Sequence, residues 1–174
     1  IEKISLIKGA GALKYGGSAL GGVIISETLK TKLIDSLYGK LYSSASTNGK
    51  GGTITTDITK TNSKGWYTRF QGTFKRFGDY NTSNYIMSNT GLSEKNFSLK
   101  TGLNRIDYGF EVYYSFFNNE TGILRASHLI SAQDIFRGIN SGIPLIIEEF
   151  TYDISAPKQK IKHNLAKFNI FKTL

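Results

Sequence analysis

Few side chains in this sequence could do chemistry, and they are scattered. There is no cysteine, so thiolate catalysis and a disulfide framework are both closed to it. The two histidines, His128 and His163, lie far apart, and no cluster of Met or carboxylate side chains accompanies either one. Imidazole is the commonest metal ligand, which makes His128 a candidate haem or ligand contact, set against a structural or solvent-exposed role. No metal site is expected. Ser43-Ser44-Ala45-Ser46 reads as a strand running into a loop and not as a nucleophile elbow, and Glu148-Glu149 reads as a solvated pair and not a catalytic dyad. The glycines at 9, 11, 16, 17, 21 and 22 form the densest run in the chain, yet no Lys-Ser or Lys-Thr closes it as in a P-loop, and no long amphipathic helix follows. The expectation is therefore no enzyme and no cofactor.

Charge is the stronger signal. The 174 residues carry 22 Lys+Arg against 13 Asp+Glu, a net charge of +9, with 10 Tyr, 11 Phe and one Trp. A basic β-rich module that binds nucleic acid or another polyanion fits that balance. Residues 119–160 hold four Lys+Arg and five Asp+Glu, however, so the excess lies elsewhere, spread over several strands and turns without a basic block. Single-strand binders gather cations and aromatics on one face, whereas here the two are segregated. In residues 65–77, Trp66, Thr68, Phe70, Gly72 and Phe74 alternate with Tyr67, Arg69, Gln71, Thr73 and Lys75.

The elements that position these groups follow from that period of two. Six candidate strands cover residues 37–44, 52–59, 65–77, 96–104, 108–117 and 162–172, with a short helix predicted over 131–139 and a turn at 140–142. Residues 61–64 and 104–107 are tight turns, whereas 77–94 and 118–160 are longer connections. Short turns on one side and long loops on the other is the asymmetry of outer-membrane barrels. No apolar run approaches the roughly 18 residues of a spanning helix. Periodicity alone leaves open an antiparallel sheet whose aromatic face packs into an ordinary soluble core.

Residues 1–27 break the pattern. Residues 1–8 read as a strand, 9–17 as a compact turn, and 18–25 as a small-residue turn running into a second strand. Ile1, Glu2, Ile4, Lys8, Gly9, Tyr15, Gly16, Ala19, Gly21, Gly22 and Val23 recur at fixed spacing in a known pattern, approximately I-E-x-I-E-V-x-K-G-P-x-x-x-x-Y-G-x-x-A-x-G-G-V-I-N-I. The stretch resembles the end of the plug domain of TonB-dependent outer-membrane receptors. Ala10 stands where Pro is usual, and Ser26 lies near the usual Asn. Residues 126–128 and 150–154 resemble stretches of such receptors from the Bacteroidota.

The resemblance implies an all-β fold: an antiparallel up-and-down transmembrane β-barrel segment, about six strands of a barrel of about 22, preceded by the end of a plug domain. Residues 1–30 would be the C-terminal part of the plug and a linker. Residues 31–174 would be the first barrel strands, with a long extracellular loop at about 119–160. The location implied is the bacterial outer membrane, and the function is energised uptake of a scarce ligand: a ferric siderophore, haem, cobalamin or a glycan. The partners implied are outer-membrane lipid and the TonB complex, with no nucleic acid. Both ends of the chain read as strand, so a longer protein is expected, with a signal peptide and TonB box upstream of Ile1 and more strands downstream. If the polar faces point inward, Arg69, Lys75, Lys100 and Glu111, with Lys40, Asp57 and Lys167, line the lumen. Cations outnumber anions there, and such a wall could attract anionic chelates or hydrogen-bond to the plug.

Overall fold

Alternation puts one set of side chains on each side of a strand, so pairing register decides which residues meet. A computed structural model describes residues 3–16, 21–27, 34–127 and 131–173. The chain divides into two units, Ile1–Leu33 and Ile34–Leu174.

In the first unit, β1 (Lys3–Ile7) and β2 (Val23–Glu27) form an antiparallel pair, with Lys3 opposite Glu27 and Ile7 opposite Val23. A 3-10 helix, Gly9–Tyr15, lies in the connection and buries Ala12. Gly22 has φ +120°, and a Cβ there would meet the Ile7 carbonyl oxygen at 2.9 Å. Only glycine lets β2 start so close to the end of β1. Of the remaining patterned residues, Ile4 sits in β1, Lys8 and Gly16 flank the 3-10 helix that Gly9 and Tyr15 bound, and Gly21 precedes Gly22 and Val23. Ile1, Glu2 and Ala19 lie outside the described residues.

The second unit is a meander. In chain order it comprises β3 (Ser36–Ser46), β4 (Gly51–Thr61), β5 (Trp66–Phe77), a small hairpin of β6 (Tyr80–Asn81) and β7 (Ile86–Met87), β8 (Leu92–Asn104), β9 (Tyr108–Gly122), α1 (Ala132–Ser141) and β10 (Lys158–Lys172). Six strands form one antiparallel sheet in the order β3-β4-β5-β8-β9-β10, each paired with the next of the six, the β6–β7 hairpin lying outside it. Residues 62–65 and 105–107 close one end. Residues 47–50, 78–91 and 123–157 close the other.

Several strands run further than their alternation predicts. β8 starts at Leu92 and not 96, β9 continues to Gly122 and not 117, and β10 starts at Lys158 and not 162. Amide and charged residues read as loop, but the ladder pairs them across strands: Glu94 with Asn119, Lys95 with Asn118, and Glu120 with Lys160. Pairing overrides weak strand propensity. The long connection is accordingly 123–157, shorter at both ends than the expected 119–160.

Directly opposed residues share a face of the sheet. One face carries the rows Trp66, Leu103, Phe110, Ile170 and Ile58, Phe70, Leu99, Tyr114, with Phe97 and Phe116 beside them. The other carries Thr59, Arg69, Lys100, Tyr113, Lys167 and, nearer the loops, Thr53, Lys75, Glu94, Asn119. Among the described residues of this unit, no helix or second sheet is laid across either face. Phe70 is accordingly 39% exposed and Ile170 74%, and Tyr67 is the sheet's one buried hydrophobic side chain.

Candidate functional site

The polar face is built from ion pairs. Lys75 and Glu94 oppose each other on neighbouring strands, with Nζ 3.6 Å from Oε2. Arg69 reaches diagonally to Asp57 through two hydrogen bonds, Nε to Oδ1 at 2.9 Å and Nη2 to Oδ2. Lys100 Nζ lies 3.1 Å from Glu111 Oε2, which also accepts the Tyr67 hydroxyl at 2.8 Å. Tyr67 reaches Glu111 by crossing β8 at Gly102, where its hydroxyl would sit 3.1 Å from an added Cβ.

The predicted polar residues Arg69, Lys75, Lys100 and Glu111, with Lys40, Asp57 and Lys167, all fall on this one face. The structure does not leave them as a bare cationic wall. Arg69, Lys75 and Lys100 are each committed to a carboxylate, which weakens the expected attraction for anionic chelates. Glu94 and Tyr67 were missed by the sequence reading. Glu94 falls at the end of the predicted connection 77–94, and Tyr67 stands on the polar side of the alternation with no partner predicted for its hydroxyl. Continuing the alternation back from Ser98 through Asn96 to Glu94 finds the first; nothing local reveals the second.

At the end of the sheet with the longer connections, three segments lock together. Asp79, 1% exposed, accepts from the Thr90 N–H at 2.8 Å and the Thr151 N–H at 3.4 Å, and its own N–H donates to the Thr151 carbonyl at 3.0 Å. Asn89 Nδ2 donates to the carbonyls of Ile123 at 2.9 Å and Pro157 at 2.8 Å, while its Oδ1 accepts from the Ser155 N–H at 3.0 Å. The Glu148 N–H donates to Ser88 Oγ at 2.7 Å. Asn48 and Asn81 exchange hydrogen bonds of 2.8 and 3.0 Å, which joins residues 47–50 to the same platform. Buried polar groups satisfied in this way fix one arrangement of otherwise irregular backbone.

A cavity of about 570 Å³ opens on this platform, lined by Tyr85, Leu124, Ala126, Ser127, Ile135, Gly138, Ile139, Gly142, Ile143, Pro144 and Leu145. Among the described residues, its walls carry no ionisable group other than the Tyr85 phenol. Helix α1 supplies Ile135 and Ile139 from one face, as expected of residues four apart. The helix is held at its start by Ser131, whose Oγ accepts from the Asp134 N–H at 3.1 Å, and ends at Gly142 with φ +67°. His128 lies outside the described residues. The cavity can hold an apolar group of small-molecule size, and among the described residues no arrangement within it resembles a catalytic constellation.

No protein-family model, curated protein or solved structure matches this chain.

Proposed function

We propose that the chain is a piece of a TonB-dependent outer-membrane receptor, which takes up a scarce ligand such as a ferric siderophore by energised transport. One observation carries this reading: a single-layer sheet sets an aromatic and aliphatic face against a face of paired charges. Such a sheet needs hydrocarbon on one side and water on the other, which is the condition of an outer-membrane barrel wall. Along β9, Tyr108 to Phe116 gives about 27 Å of strand at about 3.4 Å per residue, comparable with the ~25 Å band of such barrels. Both long connections, 78–91 and 123–157, fall on one end, which they share with the short turn 47–50, while the other end has only the short turns 62–65 and 105–107; the patterned residues of the first unit supply the plug resemblance. A soluble polyanion binder would place cations and aromatics on a common surface, and here they oppose each other over the central rows, cations joining the aromatic face only toward the longer connections.

In this reading residues 1–30 end the plug and 31–174 begin the barrel. The TonB complex acts through a segment outside this chain, and the loop platform faces the exterior of a bacterial outer membrane. Among ferric siderophores, haem, cobalamin and glycans, the apolar cavity favours a ligand that presents a hydrophobic surface. The test uses the full-length protein. It should fractionate with the outer membrane, migrate anomalously when unheated in detergent electrophoresis, and support ligand uptake that stops when the proton gradient is collapsed. Recovery as a soluble, folded monomer, or uptake indifferent to an uncoupler, would overturn the reading.

A further inference from the structure

The aromatic face changes character toward the longer connections. Lys95, Asn118 and Lys162 form one register row on it, and Arg76, Ser93, Glu120 and Lys160 the next. Lys158, opposite Gly122, follows. Five cations therefore gather with a single carboxylate, Glu120, whose oxygens lie 2.6 Å from Lys158 Nζ and 3.9 Å from Lys160 Nζ. Lys95 and Lys162 are exposed. Two strand spacings of about 4.8 Å separate their backbones, within reach of one anionic group for such long side chains.

Beside this cluster lies a groove of about 570 Å³ on the same face. Ser43, Ala45 and Gly52 leave the space because their side chains are small, and Ile54 and Phe74 give it apolar walls. Arg76 and Lys50 stand at its margin, and both are held. The Arg76 guanidinium donates to the Tyr152 carbonyl, the Tyr152 hydroxyl donates to the Lys50 carbonyl at 2.6 Å, and Lys50 Nζ sits 4.5 Å from the Phe150 ring centre. Lys95 Nζ lies 5.9 Å from the centre of the Phe74 ring, which joins the groove to the lysine rows.

An apolar slot bordered by cations, at the upper edge of a hydrocarbon-facing band, matches an acyl chain joined to a phosphate. We propose that this surface binds a phosphate-bearing lipid of the outer leaflet. An acyl chain occupies the groove over Ile54 and Phe74, and the phosphate is met by Lys95, Lys160 and Lys162. The proposal rests on the outer-membrane reading, because only there does this face meet lipid. Lysine near the interface costs about 0–1 kcal/mol against about 2–4 at the midplane, so the position tolerates the cluster that recognition requires.

The test is lipid retention by full-length protein purified in a neutral detergent. Bis-phosphorylated lipid A, the same lipid with its phosphates removed, and inorganic phosphate are offered separately and bound lipid is read by native mass spectrometry. The phosphorylated lipid should be retained at least tenfold better than the dephosphorylated one, and inorganic phosphate should not be retained. Lys95→Gln/Lys160→Gln/Lys162→Gln should lose that preference, and Ala45→Trp, which fills the groove, should weaken retention of both lipids. Heat-dependent electrophoretic mobility reports folding for each variant. A folded barrel that retains both lipids equally, or whose lysine variant keeps the preference, overturns the lipid site and leaves the receptor reading standing. A protein that forms no barrel overturns both.

Discussion

At Gly102 two strands come as close as their backbones allow. An added Cβ would lie 2.2 Å from the Phe110 carbonyl oxygen and 3.0 Å from Glu111 Cα. The first is backbone and cannot swing aside, so Gly102→Ala must move β8 or β9. The same Cβ presses on the Tyr67 hydroxyl and loosens its bond to Glu111. Overpacking of this kind costs about 1–3 kcal/mol on top of that loosened bond, whereas Tyr67→Phe removes only the hydrogen bond to the carboxylate, about 1.5–3 kcal/mol, and leaves Lys100 on Glu111. Urea unfolding of the refolded full-length protein should rank wild type above Tyr67→Phe and Tyr67→Phe above Gly102→Ala; a wild-type midpoint for Gly102→Ala would refute the crossing. The sequence marked Arg69, Lys75, Lys100 and Glu111 because alternation alone puts them on one face. It could not mark Asp79, Ser88 or Asn89, whose partners lie more than 30 residues further on or are backbone groups without a side-chain signature.

At the scale of elements, the central strands were legible and their loop-side ends were not. Strong alternation in β5 and in the first half of β9 separates an aromatic face from a polar one. Beyond Phe116 and Ala166 the aromatic face gives way to Asn118, Glu120 and lysines, so the alternation fades although the ladder continues. Helix α1 was legible for another reason: its limits are set by local chemistry. Ser131 caps the Asp134 N–H at 3.1 Å and Gly142 supplies the left-handed stop. With no buried residue in α1, little else holds the helix. Ser131→Ala should therefore cost about 1 kcal/mol of helix stability, seen as about fivefold faster amide exchange across residues 134–139 with exchange in β9 unchanged. Because Ile135 and Ile139 line the apolar cavity, the same substitution should weaken ligand retention there. Unchanged exchange would place the stability of α1 elsewhere.

For the whole molecule the decisive quantity is the contrast between the two sheet faces, and it can be measured at adjacent positions of one strand. Phe70 lies among Ile58, Leu99 and Tyr114 on the aromatic face, while Gln71, the next residue, shares its row with Asp57, Ser98 and Ser115 on the polar face. Both are exposed in this sheet, so neither substitution disturbs a packed core. In a water-filled setting on both sides, Phe70→Lys and Gln71→Lys would be similarly mild. With hydrocarbon against the aromatic face, Phe70→Lys should cost about 2–4 kcal/mol near the midplane, whereas Gln71→Lys gains a carboxylate neighbour in Asp57 and should stay within about 0.5 kcal/mol of wild type. Refolding of the full-length protein into lipid vesicles, titrated with urea, resolves a difference of that size. The contrast should shrink when the lysines are moved to the loop-side end of β9, as Asn118→Lys and Asn119→Lys, because Lys95 and Lys162 already flank Asn118 on the aromatic face. Equal losses at Phe70 and Gln71 would mean that the two faces meet the same solvent, and no barrel wall would remain to explain the aromatic rows.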